Sequence, residues 1–286
     1  MRSPYWLASV SLTAVIGTIA IMTVASELAR AIAAVDSPDP KPPQVSVDFL
    51  FPPSPLIQAG KPRLVYEMRV TNYVPVPYTL DAVEVHAGSK TFGYAGGTLR
   101  KMTRFLGEKA PAAATLKLEP GRSAIVFFML GFDESAEVPQ ELEHTLHFTS
   151  PDKTTHALTP ARLAVGQEAT VVVHPPLRGG NWLASDSTHN TADAAHRRTI
   201  LLLEGQPWLA QRSAIDWVQY RMVDDAATTW SGPEDQNASY FCYNALIYSV
   251  ASGTVIAAMD GLPETFRIPA NMPWISTLST RAVTTS

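Results

Sequence analysis

The chain is 286 residues long, 46% hydrophobic, with 22 lysines and arginines against 26 aspartates and glutamates and a formal net charge of −4. At about 100–200 residues per domain, this length gives one or two domains with real cores, and the near balance of charge offers no broad positive field to hold a nucleic acid. A single cysteine, Cys242, closes no intrachain disulfide and builds no multi-cysteine zinc or iron–sulfur site, so any metal must be held by His, Asp or Glu.

From Ser3 to Ser26 no side chain is charged; Arg2 precedes the run and Ala31-Ile-Ala-Ala34 follows it. A basic start, an apolar stretch and small residues are the pattern of a secretory signal. At about 1.5 Å per helical residue the run is also long enough to cross a hydrocarbon core of about 30 Å. Residues 1–34 are therefore expected to be a signal peptide or an uncleaved membrane anchor. The protein is then exported, periplasmic or extracellular, or held at the inner membrane. Residues 35–44, with Asp36-Ser-Pro-Asp-Pro-Lys-Pro-Pro43, read as a proline-rich linker of polyproline type.

Beyond the linker, apolar and polar residues alternate in short runs separated by turn chemistry, the period of half-buried strands. Leu64, Tyr66, Met68 and Val70 would face one way and Glu67, Arg69 and Thr71 the other. Similar runs occur at Leu80–His86, Leu116–Leu118, Ala124–Leu130, Leu142–Phe148 and Ala169–His174. Several such strands predict an immunoglobulin-like β-sandwich over residues 45–176, without its disulfide. Within it, His144 and His147 stand three apart on a strand, which points them to opposite faces and prevents them from sharing an ion. The block Ile125–Leu130 reads as a central strand buried on both sides.

At His174-Pro-Pro-Leu-Arg-Gly-Gly-Asn-Trp182 the texture changes, and residues 177–286 read as a further domain with strands at Thr199–Glu204, Ser213–Tyr220, Ala245–Ala251 and Thr254–Met259. Cys242, among Tyr240, Phe241 and Tyr243, reads as a buried, inert thiol. Five ordered blocks run through the region: His196-Arg-Arg198, Gln211-Arg-Ser-Ala-Ile-Asp-Trp217, Tyr240-Phe-Cys-Tyr243, Ile247-Tyr-Ser-Val-Ala-Ser-Gly-Thr-Val255 and Asp260-Gly-Leu-Pro-Glu264. Together they resemble the exported lysostaphin-type zinc metallopeptidases, peptidoglycan endopeptidases with an all-β catalytic domain of duplicated hybrid motif.

That resemblance implies a catalytic zinc as cofactor and peptidoglycan peptides as partners. Such a zinc takes three protein ligands and keeps one position open for a water whose pKa it lowers. In the family, ligands come from a His-x-x-x-Asp pattern and from a downstream His-x-His. Asp216 matches the aspartate of the first pattern. Arg212 stands where its histidine belongs, and a guanidinium cannot give a lone pair to a metal. His196 is the replacement candidate, so the metal residues are Asp216 and His196, with Asp260 and Glu234 as loop carboxylates of no special standing. No histidine follows His196, so the His-x-His half is absent.

The fold expectation is all-β: a signal or anchor helix, an immunoglobulin-like sandwich, then an incomplete, C-terminally truncated metallopeptidase-like domain. The chain is accordingly expected to be a cell-envelope protein of the peptidoglycan-hydrolase type, inactive and not retaining zinc. The alternative is a non-catalytic envelope binding or scaffold protein. Loss of the remaining strands would also leave an unpaired edge around Ala245–Met259.

Overall fold

The computed structural model describes residues 42–108, 113–134, 137–186 and 195–261. The expected signal or anchor segment, most of the proline-rich linker and the last 25 residues lie outside them. The chain is all-β in character and divides into two compact units, one ending at Thr170 and the other beginning at Val171.

In the first unit the strands are β1 (Val45–Phe49), β2 (Leu56–Gln58), β3 (Lys61–Asn72), β4 (Tyr78–Ala87), β5 (Lys90–Ala95), β6 (Thr103–Phe105), β7 (Lys117–Leu118), β8 (Ser123–Gly131), β9 (Glu141–Thr149) and β10 (Thr155–Ala164). They form two antiparallel five-stranded sheets. One runs β1-β3-β8-β6 with β2 on β3; the other runs β10-β9-β4-β5 with β7 on β4. A short helix, α1 (Gly96–Met102), carries the chain from the second sheet to the first, burying Leu99 completely and ending where the Thr103 hydroxyl donates to the Leu99 carbonyl at 2.7 Å. The expected strand at Ala169–His174 does not form; Val171, Val172 and Val173 are exposed. Its β-branched run has strand propensity but no partner strand, and propensity without a ladder decides little.

The period-2 pattern turns Leu64, Tyr66, Met68 and Val70 of β3 into the same core as Val83 and Val85 of β4 and Leu142, Leu146 and Phe148 of β9. Strand β8 contributes Ala124, Val126, Phe128 and Leu130 to this core, while Ile125 and Phe127, on its other face, are buried as well. At the centre Tyr66 stacks on Phe128 with ring centroids 4.9 Å apart, and His144 of β9 packs edge-on to both.

His144 is a polar group at zero exposure, and both its nitrogens are matched. The Ala161 carbonyl lies 3.0 Å from Nδ1 and can only accept, so Nδ1 carries the proton; Nε2 then accepts from the Tyr66 hydroxyl at 2.8 Å. The bond joins one sheet to the other through neutral groups. Burial holds the His144 pKa at about 4, below its ordinary 6.5, and pushes Tyr66 well up.

In the second unit, among the described residues, the strands make only two-stranded ribbons: β11 (Trp182–Asp186) with β14 (Asp216–Gln219), β12 (Leu201–Leu203) with β13 (Gln206–Trp208), and β15 (Arg221–Val223) with β16 (Ala226–Thr228). A single turn of helix, α2 (Ala195–Arg198), precedes β12. Leu201 and Leu209 are the buried hydrophobic residues described in this unit, whereas Leu202, Met222, Ile247 and Val255 are each more than 60% exposed. The strands expected at Ala245–Ala251 and Thr254–Met259 are absent. Besides the turn bond from Ala245 N–H to the Cys242 carbonyl, the first of these segments makes two backbone bonds to another stretch, Tyr248 N–H to the Pro176 carbonyl and His174 N–H to the Val250 carbonyl, too few for a ladder.

The buried imidazole sets an acid sensitivity. Its folded pKa lies below the unfolded value, so between about pH 6.5 and pH 4 the unfolded chain binds more protons. Stability present in full above that window is lost as pH falls through it, by about 3 kcal/mol in total. Urea unfolding of the first unit at pH 7 and pH 4.5 should show this slope, and His144→Gln should flatten it; equal slopes in both proteins would contradict the assignment.

Candidate metal-facing pair

His196 and Asp216 are twenty positions apart in sequence, and the structure brings them together: His196 Nε2 lies 3.2 Å from Asp216 Oδ2. Each is placed by its own local geometry. Asp216 opens β14, whose pairing with β11 shifts register between Ala184 and Asp186, so that Asp186 stands opposite Asp216. The Ser185 hydroxyl donates to the Asp216 carbonyl at 3.2 Å. The chain leading into β14 is held by two tight turns, Arg212 N–H to the Leu209 carbonyl and Ala214 N–H to the Gln211 carbonyl, both 3.0 Å.

The second of these turns presents the Ala214 carbonyl to His196 Nδ1 at 3.1 Å. The Ala214 carbonyl and the Asp216 carboxylate both only accept, so a hydrogen on Nδ1 and a hydrogen on Nε2 each find a partner. When the ring is protonated, Nε2–H donates to Asp216 as an ion pair. A neutral ring carries one hydrogen: on Nε2 it donates to Asp216, and on Nδ1 it donates to Ala214 and leaves a nitrogen lone pair facing the carboxylate oxygen 3.2 Å away. Two such donors repel unless a cation lies between them, and first-row metals bind nitrogen and oxygen at about 2.0–2.2 Å, which suits donors at this separation. The imidazole is 7% exposed and the carboxylate 62%, so one partner is fixed by packing and the other reaches solvent.

The remaining candidates stay apart. The Asp260 carboxylate accepts from the Gly261 backbone at 2.7 Å, and Glu234 is exposed in a loop whose backbone carbonyl takes the Tyr240 hydroxyl. Arg212 sits in the turn below His196 and lends no lone pair. Cys242 is half-buried, more open than its aromatic neighbours suggest. Among the described residues no three His, Cys, Asp or Glu side chains converge on one point. His144 and His147 bind separate partners, the latter meeting Glu84 at 2.7 Å.

One constellation escaped the sequence reading. In the first unit an open cleft of about 720 Å³ is lined by Tyr78, His156, Ser150 and Asp152 with Pro42 and Pro151. Ser150-Pro-Asp-Lys153 signals only a turn, and the fold adds His156, whose Nε2 lies 3.1 Å from the Ser150 hydroxyl. That hydroxyl donates to Asp152 at 2.5 Å, and together with the Thr154 amide it lowers the exposed Asp152 to about 2. The serine stands between the imidazole and the carboxylate. A serine nucleophile needs the imidazole in the middle, so this is a braced turn.

No family model and no curated protein matches this sequence. Solved structures do. A putative ApaA protein from Bordetella pertussis is 14% identical, with 45% of this chain and 98% of that one covered and a TM-score of 0.29. A FixG-related protein from Vibrio parahaemolyticus is 14% identical over 43% and 96%, with a TM-score of 0.22. A structural-genomics target is 15% identical over 44% and 89%, with a TM-score of 0.29. At such values the likeness decides neither family nor activity.

The tautomer is directly observable. A pair able to hold a metal requires the neutral His196 ring to be protonated at Nδ1 and bare at Nε2, which long-range proton–nitrogen spectra should show; the opposite tautomer would place the hydrogen between the two side chains and contradict a metal role.

Proposed function

We propose that this is an exported cell-envelope protein of the lysostaphin-type zinc metallopeptidase lineage. In this reading an immunoglobulin-like sandwich precedes a peptidase-type β region that acts on or binds peptidoglycan peptides. One observation carries the proposal: His196 Nε2 and Asp216 Oδ2, twenty positions apart in sequence, meet at 3.2 Å, with the Ala214 carbonyl beside Nδ1 able to take the ring hydrogen on the far side. Asp216 is the residue that the family pattern marks as a ligand, and His196 takes the part that Arg212 cannot play.

The donor set is compatible with zinc in kind and falls short in number. Zinc, when bound, would supply a Lewis acid and an activated water, and His196 and Asp216 would be the residues holding it. A catalytic site needs a third protein ligand, and the described residues bring two donors together. No hydrolytic step follows from them. This shortfall favours a second reading for the same molecule, a non-catalytic module that engages the wall or another envelope protein.

Titration of the full chain with zinc chloride tests the first reading. Binding is expected to weaken at least about tenfold, or about 1.4 kcal/mol, in both Asp216→Ala and His196→Ala. Equal affinity in wild type and variants would contradict it. Co-sedimentation with purified peptidoglycan that persists in chelator and in both variants would establish the non-catalytic reading instead.

A further inference from the structure

A backbone amide can attack the side chain that precedes it when the two are in contact, exposed, and free of a ladder that would forbid ring closure. The chain has one Asp-Gly pair, Asp260-Gly261, and no Asn-Gly pair. Gly261 N–H donates to Asp260 Oδ1 at 2.7 Å, so the nitrogen lies beside the carboxyl group of its own neighbour. Both residues are exposed and stand outside any helix or strand, and among the described residues no other hydrogen bond holds either of them. A Cβ placed on Gly261 would meet no heavy atom within 4 Å, so the space around the amide is open, and its φ of 78° is one that glycine adopts freely.

Asp81 and Asp152 show the contrast. Asp81 lies half-buried inside β4, and its carboxylate takes the Thr149 hydroxyl at 2.6 Å. Asp152 is exposed, yet its carboxylate takes the Ser150 hydroxyl and the Thr154 amide. The amide that follows it, Lys153 N–H, is committed to the Ser150 carbonyl at 3.0 Å.

We propose that Asp260-Gly261 is a self-modification site, at which the chain converts aspartate to isoaspartate through a cyclic imide. Gly261 N attacks Asp260 Cγ. The N–Cγ bond forms, a Cγ–O bond breaks, and the oxygen leaves as water, carrying the amide hydrogen and one proton from solvent. A second water then opens the ring. Addition at Cγ returns aspartate. Addition at the Asp260 main-chain carbonyl carbon breaks its bond to nitrogen, and the main chain then runs through Cβ and Cγ, with a free α-carboxylate and a proton returned to solvent. Nothing is oxidised or reduced, and the product has the mass of the original chain.

Proximity is what the structure supplies. A group held against its reaction partner reacts as if at very high concentration, and here the partner is already in contact. The open loop supplies the rest, since ring closure needs a rotation about the Asp260 backbone that a well-protected segment would resist. The step draws on neither His196 nor Asp216, so it stands apart from the metal reading. Each event lengthens the main chain by one methylene and moves a negative charge from the side chain to the α-carbon, which marks aged molecules at the head of the Asp260–Glu264 block.

The test is incubation of the full chain at neutral pH in water labelled with heavy oxygen, followed by digestion in ordinary water and mass-resolved peptide mapping. The peptide holding Asp260 should split into two peaks of one composition. The new peak should carry heavy oxygen, resist an aspartate-specific protease and accept a methyl group from an isoaspartate methyltransferase. Peptides holding Asp81 and Asp152 should stay single. Asp260→Glu, which would have to close a larger ring, should show no new peak, and Gly261→Val, whose branched side chain shields the amide, should slow its appearance at least about tenfold. Near-UV circular dichroism of the first unit's aromatic cluster serves as the control for folding. An Asp260 peptide that stays single, a new peak without heavy oxygen, an undiminished rate in Gly261→Val, or faster isomerisation at Asp81 or Asp152 would each overturn the proposal.

Discussion

The layer of apolar side chains closed between the two sheets of the first unit is the constraint on which the rest of the chain depends. Tyr66, Phe128, His144 and Phe148 are fully buried in it, and the bond from the Tyr66 hydroxyl to His144 fixes one sheet against the other. A hydrogen bond between neutral groups in a water-free layer is expensive to leave unmade, so it specifies register as well as adding stability. Among the described residues the second unit has no counterpart. Its ribbons have two strands each, and a lone hairpin is marginal in water.

This contrast bears on the chemistry. The candidate donors His196 and Asp216 sit in the unit with the thinner core, and local devices place them: the helical turn Ala195–Arg198, the turn that presents the Ala214 carbonyl, and the register shift beside Asp186. Such devices position two groups well. Holding three ligands to the tolerance a catalytic metal requires calls for a surrounding shell of packed side chains and further hydrogen bonds.

How much of this was legible in the sequence depended on whether the signal was local. Alternation in Leu64–Val70 and the continuous run Ile125–Leu130 announced β3 and β8, because the pleat turns successive residues to opposite faces wherever the strand lies. The opposition of His144 and His147 followed from the same period. Strand β10 was hidden: Pro160 interrupts it, and the fold accommodates that residue at a register shift between Leu158 and Ala161 on an edge strand, where a missing donor costs little. Strands expected at Ala169–His174, Ala245–Ala251 and Thr254–Met259 carried the right residues but form no ladder among the described residues, which no local pattern reveals. Asp216 stood out only through a family resemblance, and its meeting with His196 depends on turns whose outcome the spacing does not dictate. The cleft at Ser150 and His156 was missed for the same reason, since a turn signature says nothing of the strand that returns beside it.

Amide hydrogen exchange of the full chain, read by mass spectrometry, is the most direct test of the central claim that one unit carries a self-sufficient core and the other does not. Amides of β3, β8 and β9 should exchange only through global unfolding, while those of Leu201–Leu203, Arg221–Val223 and Thr254–Met259 should exchange orders of magnitude faster. Comparable protection in both units would show that the second is stabilised by a core of its own, and the account would fail.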